Sequence, residues 1–276
     1  MKRVVLGLGL LTALLVGSIG TAESAQAQTP WCVGGNATKR AQLKSAMRTA
    51  VARDNDRSKL RIALHDGNSG VSCGYQSGSR IYTRSVIKVA LSGALLRERQ
   101  KHRRQPSAKE FSLMHRAITR SDNDAAQDIY NLVGRDKLRS FFRAVGVANV
   151  QIPTDGHWGN TRMSATSHVQ LLSALTNGSG SGLAVSSKNY LIDQMHRVVG
   201  SQRWGVGEGA AAGAFIAVKN GWGPGKGKSG FIVNTIGVVR PSSGQYEMAI
   251  LTNENGSEKR GMKRVGKVAQ VLNALL

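Results

Sequence analysis

The sequence predicts an α+β domain: a mostly antiparallel sheet flanked by helices, with an all-helical block set into its middle. Three observations lead there. Short alternating apolar–polar runs at 59–66 and 71–75 read as paired strands on either side of the turn Asp66-Gly67-Asn68-Ser69-Gly70. Between 85 and about 200, most segments carry helical apolar spacing, broken by an irregular stretch at 150–166. The C-terminal part returns to strands and closes on a helix. An order of helix, strands, helices, strands and helix suits a sheet covered by helices rather than a parallel doubly wound fold.

The elements follow in order. Over 38–53, Leu43, Ala46, Met47 and Ala50 fall at i, i+3, i+4 and i+7, which makes one apolar helix face. The stretch 85–96 is nearly all apolar, so its helix is expected to be buried all round. Further helices are expected over 107–120, 122–133 and 136–145, with Gly134 ending the second of these as a left-handed C-cap. Residues 150–166 are rich in Gly, Asn and Thr and read as irregular. Helices return over 167–175 and 187–199. Strands are expected at 214–219, 230–239 and 246–252, the last two joined by Pro241-Ser242-Ser243-Gly244. A closing helix over 262–276 turns Val265, Val268, Leu272 and Leu275 inward and its lysines outward. The basic run 97–104 is likewise expected on a solvated face.

The first residues read as an export signal. Lys2 and Arg3 precede an apolar run over 4–16, and Ala25-Gln26-Ala27 is a small-x-small cleavage site. That places a signal peptide at 1–27 and the mature domain at 28–276, with a helical subdomain at about 85–212. The run is too short for a membrane span. No cysteine stands at the cleavage point, so a lipid anchor is not expected, and the expected location is extracellular or wall-associated. In an exported chain, the two cysteines, Cys32 and Cys73, are expected to pair.

The net charge of +22 favours anionic surroundings such as envelope polymers. Aromatic residues make up only 5% and form no stacking motif, so dedicated nucleic-acid binding is not expected. The histidines show no metal-ligand spacing, and no metal or cofactor is implied. A monomer is expected.

Chemistry concentrates in three short motifs. In Ser85-Val86-Ile87-Lys88 a hydroxyl and an amine lie one helical turn apart, and Lys88 interrupts an apolar stretch where desolvation lowers an amine's pKa towards that of a useful base. Ser121-Asp122-Asn123 adds a second hydroxyl and an amide. Lys219-Asn220-Gly221 adds a second lysine. The later motifs lie 36 and 134 residues beyond Ser85. Together they supply a nucleophile, a proton relay and a cation for an anionic substrate.

On these motifs the chain resembles the class A β-lactamase and penicillin-binding-protein superfamily, with its S-x-x-K, S-D-N and K-T-G set. The resemblance runs from about 37 to 276 and is densest at 84–96, 117–126 and 215–221. It implies a β-lactamase/transpeptidase-like fold and a serine hydrolase acting through an acyl-enzyme. Ser85 would attack the acyl carbon and Lys88 accept its proton. Ser121 would relay a proton to the leaving nitrogen, and Asn123 would orient substrate and Lys88. Lys219 would attract a carboxylate. Asn220, Gly221 and Trp222 would bind substrate, with the backbone N–H groups of Ser85 and Trp222 as the oxyanion hole. β-Lactams or D-amino-acid-containing wall peptides are the implied substrates.

Two departures stand out. Asn220 occupies a position that is usually Thr or Ser, and its neighbour Trp222 either narrows the site or packs as a core aromatic. The loop glutamate that activates the deacylating water is absent: Gly159 stands in its place, and no Asp or Glu occurs over 156–192. His157 and Asp155 are the nearby candidates for a substitute base. Slow deacylation is the consequence expected for β-lactams. A D-alanyl-D-alanine-peptidase- or esterase-like wall hydrolase, and a binding protein without turnover, remain alternatives.

Overall fold

The computed structural model describes residues 29–176, 182–225 and 230–276. The expected signal segment lies outside the described residues. Fifteen named strands and helices follow one another along these residues. They are β1 (Trp31–Val33), α1 (Ala37–Ala52), β2 (Leu60–Asp66), β3 (Val71–Tyr75), β4 (Ile81–Tyr82) and α2 (Lys88–Lys101). The helical block continues with α3 (Ala108–Thr119) and α4 (Asn123–Ala144), then β5 (Arg162–Met163), α5 (Ala165–Thr176) and α6 (Val185–His196). The chain ends with β6 (Phe215–Pro224), β7 (Phe231–Arg240), β8 (Tyr246–Thr252) and α7 (Glu258–Asn273).

Six strands form one antiparallel sheet in the order β1-β3-β2-β8-β7-β6, and β4 pairs with β5 in a separate two-stranded ribbon. Strand alternation sends side chains to two different cores. Ile62, Leu64, Val218, Val233 and Ile250 pack with Leu43 and Met47 of α1 and Val265 and Leu272 of α7. Their neighbours Ala63, Ala217, Ile232, Ala249 and Leu251 face the helical block, with Leu91, Ile129 and Leu172. The Asp66–Gly70 turn holds because the Asp66 carboxylate accepts from Asn68 N and Ser69 Oγ.

Helix α2 is buried along its whole first half, Lys88 through Leu96, as its composition requires. Gly134 has φ 67° and breaks α4 into two segments. Cys32 and Cys73 face each other across β1 and β3 and are joined as a disulfide.

Several features differ from the sequence expectation. β1, β4 and β5 are too short to show a period. The strand carrying the third motif runs on to Pro224, so Lys219, Asn220 and Gly221 lie within it rather than at its end. The basic runs are not simply solvated. Arg99 donates to the buried Glu110, whose carboxylate also completes the capping box of α3 with Ser107. Arg264 turns inward to Asp54 at 2.6 Å, because that carboxylate is buried and needs a cation.

Candidate active site

Ser85 lies in a 3₁₀ turn, Arg84–Ile87, that runs straight into α2. In such a turn residues i and i+3 eclipse one another, so Ser85 and Lys88 share one side. Arg84 enters the turn with φ 52°, and Ser121 has φ 57°, so both hydroxyl-bearing loops hold a non-glycine residue in the left-handed region. The neighbouring structure fixes these conformations. Asn234 of β7 donates to Tyr82 O at 2.9 Å and Thr83 O at 3.3 Å, tying the turn to the sheet. Asp122 caps α4 by accepting from Ala125 N and is held by Arg116 Nε at 2.8 Å. The bond to Arg116 keeps the Asp122 carboxyl below the usual range.

Lys88 is fully buried. Its Nζ donates to Asn123 Oδ1 at 2.7 Å and to Ser121 O, with Ser121 Oγ at 3.4 Å. Burial lowers its pKa to about 7, and Asp122 only partly offsets this. A neutral amine has two N–H groups, enough for Ser121 O and Asn123 Oδ1. Its lone pair is then left to take a proton.

Lys219 is also fully buried and donates to Ser121 Oγ at 2.9 Å and to Asn220 O at 2.9 Å. Burial first, and the charge of Lys88 second, hold its pKa well below the ordinary lysine range. Ser121 Oγ therefore sits between two amines. With Lys219 donating to that oxygen, the Ser121 proton is free to be handed on.

Gly221 brings β6 against the Ser85 turn. A Cβ there would lie 2.7 Å from Thr83 O and 2.8 Å from both Ser85 N and Val86 N. Only glycine permits this approach. β6 is the edge strand of the sheet, and its far side faces the turn.

The structure brings Ser85, Lys88, Ser121, Asn123, Lys219 and Gly221 to one place. It does not bring the side chains of Asn220 and Trp222 there. With a period of two along β6, Lys219 and Gly221 face the helical block, and Asn220 and Trp222 face the opposite core. Both amide hydrogens of Asn220 go to backbone carbonyls, Gln202 O at 2.9 Å and Trp204 O at 3.1 Å. That amide has no donor left for a substrate carboxylate. Trp222 packs edge-on against Trp204 at 5.9 Å between centroids.

His157 is exposed and leans on the Asp155 carboxylate at 3.4 Å. The residue of this loop that reaches the site is Trp158, whose ring centroid lies 5.3 Å from Lys88 Nζ. Its Nε1 donates to Gln127 Oε1 at 3.0 Å, which fixes the ring. Gly159 adjoins open space: a Cβ there would meet no atom within 4 Å. Among the described residues, no group of three or more His, Cys, Asp or Glu side chains is gathered to hold a metal ion.

Trp158, Asn234 and Arg84 were not singled out by the sequence. For Asn234 a signal existed, since Asn234-Thr235 is a polar pair inside the apolar strand Phe231–Arg240.

Comparison with known proteins bears on the fold and the family. The structure superposes on TLA-1 extended-spectrum β-lactamase with a TM-score of 0.73 at 16% identity, covering 85% of this chain and 98% of that one. It superposes on PBP-A with a TM-score of 0.70 at 21% identity, covering 84% and 95%. A PBP-A mutant solved as an acyl-enzyme complex with penicillin G gives 0.70 at 21%, covering 85% and 96%. At these identities the likeness is one of fold. In sequence, the proteins named "Putative lipoprotein LppW" from Mycobacterium tuberculosis (strain H37Rv) and Mycobacterium bovis are each 27% identical over 198 residues, 69% of this chain. The chain spans 62% of the length of these curated relatives. The model of the β-lactamase enzyme family matches residues 103–276, a stretch that includes the second and third motifs. That match takes in well over half of the sequence, and the chain belongs to the β-lactamase enzyme family.

Proposed function

We propose that this protein is an exported serine hydrolase that forms an acyl-enzyme at Ser85 with β-lactams or related wall peptides and releases it slowly. The observation that carries the proposal is the paired buried amines around Ser121, with Lys88 at a pKa of about 7. An amine neutral near pH 7 is a competent base for a serine hydroxyl.

In the proposed sequence Ser85 Oγ bonds to the acyl carbon while Lys88 Nζ takes its proton. The backbone N–H groups of Ser85 and Trp222 would stabilise the oxyanion. The C–N bond then breaks as Ser121 hands a proton to the leaving nitrogen, and Lys88 returns one to Ser121. Lys219, when protonated, attracts the substrate carboxylate. Hydrolysis of the ester needs a base for water, and Gly159 supplies none. The exposure of His157 and the Trp158 ring beside Lys88 favour a long-lived ester. Export is supported by the basic and apolar leader, the Cys32–Cys73 disulfide and relatives named as lipoproteins.

Intact-mass spectrometry after mixing with a penicillin tests this. The expected record is a rapid mass gain that decays slowly, abolished by Ser85→Ala. Gly159→Glu, whose side chain has open space to enter, is expected to speed the decay by up to roughly 10²-fold. A stable adduct that Gly159→Glu leaves untouched favours a non-turnover binding protein. Absence of any adduct on Ser85 refutes the proposal.

A further inference from the structure

A second concavity lies away from the nucleophile. Arg135, Arg139 and Arg143 recur at i, i+4 and i+8 along the second half of α4 and so share one face. With Arg80, from the segment between β3 and β4, they line a pocket of about 540 Å³ whose other wall is residues 147–152. Among the described residues, no acidic side chain lines it. Asp136 pairs with Arg139 at 3.0 Å from a side chain 85% exposed, and such a pair is screened by water. Elsewhere the fold answers a partly buried arginine with a buried carboxylate, as with Arg99 and Glu110 or Arg264 and Asp54. Here four arginines line one hollow, and among the described residues no carboxylate lines it. Like charges held together raise the local potential and concentrate anions.

The cationic surface continues from this pocket to the active site. Gln151 on the pocket wall pairs with Arg162 through two backbone hydrogen bonds, at 3.0 and 2.9 Å. Arg162 Nη2 also donates to Arg80 O at 3.2 Å. Arg162 and Arg84 both lie over the Tyr82 ring, at 5.6 and 5.1 Å. Arg84 adjoins Ser85 in the chain and donates to Asn160 Oδ1 and Pro224 O.

We propose that the arginine pocket binds a phosphodiester group of an anionic, non-aromatic polymer, whose chain then runs along Arg162 and Arg84 toward Ser85. The lining arginines come from two separate elements, α4 and the Arg80 segment. The two non-bridging oxygens of a phosphodiester sit on a tetrahedral phosphorus and suit the guanidinium fork. Successive cationic stations fit a repeating anion. Among the described residues lining the pocket, the one aromatic, Phe142, is buried and offers no platform for stacking a nucleobase. The run toward Ser85 rests on the acyl-transfer proposal; the binding itself does not.

The test uses poly(glycerol phosphate) as probe, with single-stranded DNA and poly-L-glutamate of matched charge as comparisons. Titrations use the protein, an Arg139→Gln/Arg143→Gln variant and a Lys263→Gln/Lys267→Gln variant of equal charge loss on α7. The pocket variant is expected to lose roughly tenfold or more per guanidinium, and the α7 variant much less. Arg80→Gln, on a separate segment, repeats the test without touching α4. Equal losses in the pocket and α7 variants would overturn the proposal, because they mean diffuse charge attraction. Binding of DNA or polyglutamate as tight as that of poly(glycerol phosphate) would also overturn it. Saturating polymer should slow fluorophosphonate labelling of Ser85 in the unmodified protein but not in the pocket variants. A failure of Ser85 to label at all would remove the acyl-transfer proposal and leave the binding result standing.

Discussion

Lys88 offers a perturbation whose size follows from its surroundings. Its side chain is fully buried, and its pKa is about 7 because burial disfavours the ammonium. An unfolded chain keeps a lysine protonated to about pH 10.4. Between pH 7 and that value the unfolded state therefore binds one more proton than the folded state. Stability must rise with pH in this window, by about 1.4 kcal/mol per unit. Below pH 7 both states carry the proton, so the slope vanishes and the full cost of the buried charge remains. Lys88→Met keeps the bulk and removes the titration. From pH 7, where half the folded molecules still hold the proton, to pH 9 the unmodified protein should therefore gain about 2 kcal/mol relative to the variant in urea unfolding. The same amine sets a kinetic profile. With a neutral fluorophosphonate probe, which needs no carboxylate-binding cation, labelling of Ser85 should rise about tenfold per pH unit below 7 and level off above it. Stopped-flow quenching and intact-mass detection read this directly. A labelling rate flat from pH 5 to 9, or equal stability slopes in both proteins, would refute Lys88 as the neutral base.

Two further outcomes follow from the packing. Gly221→Ala places a methyl carbon 2.7–2.8 Å from the backbone of the nucleophile turn, which must move. Labelling should fall on the order of 10²-fold, with about 1–3 kcal/mol of stability lost; an unchanged rate would show that the approach of β6 does not set the site. Replacing both Cys32 and Cys73 by Ala opens a loop with a sequence separation of 41 residues and should cost about 4 kcal/mol in the chain-entropy account. The labelling rate of the folded double variant should not change, because β1 and β3 lie at the sheet edge opposite β6.

Much of the site was legible in the sequence because its chemistry is carried by residue types at fixed spacings. Ser85 and Lys88 meet through one turn of backbone, and a lysine in an apolar helix must be desolvated wherever that helix packs. Helix and strand order followed from apolar periodicity in the long elements, and pairing of Cys32 with Cys73 from export and an even count. The three-residue β1 and two-residue β4 and β5 carry too few residues for a period to show.

What the tertiary structure alone decided is direction. A strand's period of two separates Lys219 and Gly221 from Asn220 and Trp222, but only the packing of residues 202–204 against one face shows which pair faces the Ser85 turn. Likewise a loop containing Asp155, His157 and Trp158 offers three side chains. The hydrogen bond to Gln127 turns the indole, not the imidazole, towards Lys88. Charge runs behave in the same way. Arg264 finds Asp54 210 residues away, and Arg80 meets the arginines of α4 across a pocket. Local sequence fixes what a side chain can do, and long-range packing fixes what it faces, because burial and partners are properties of the assembled core.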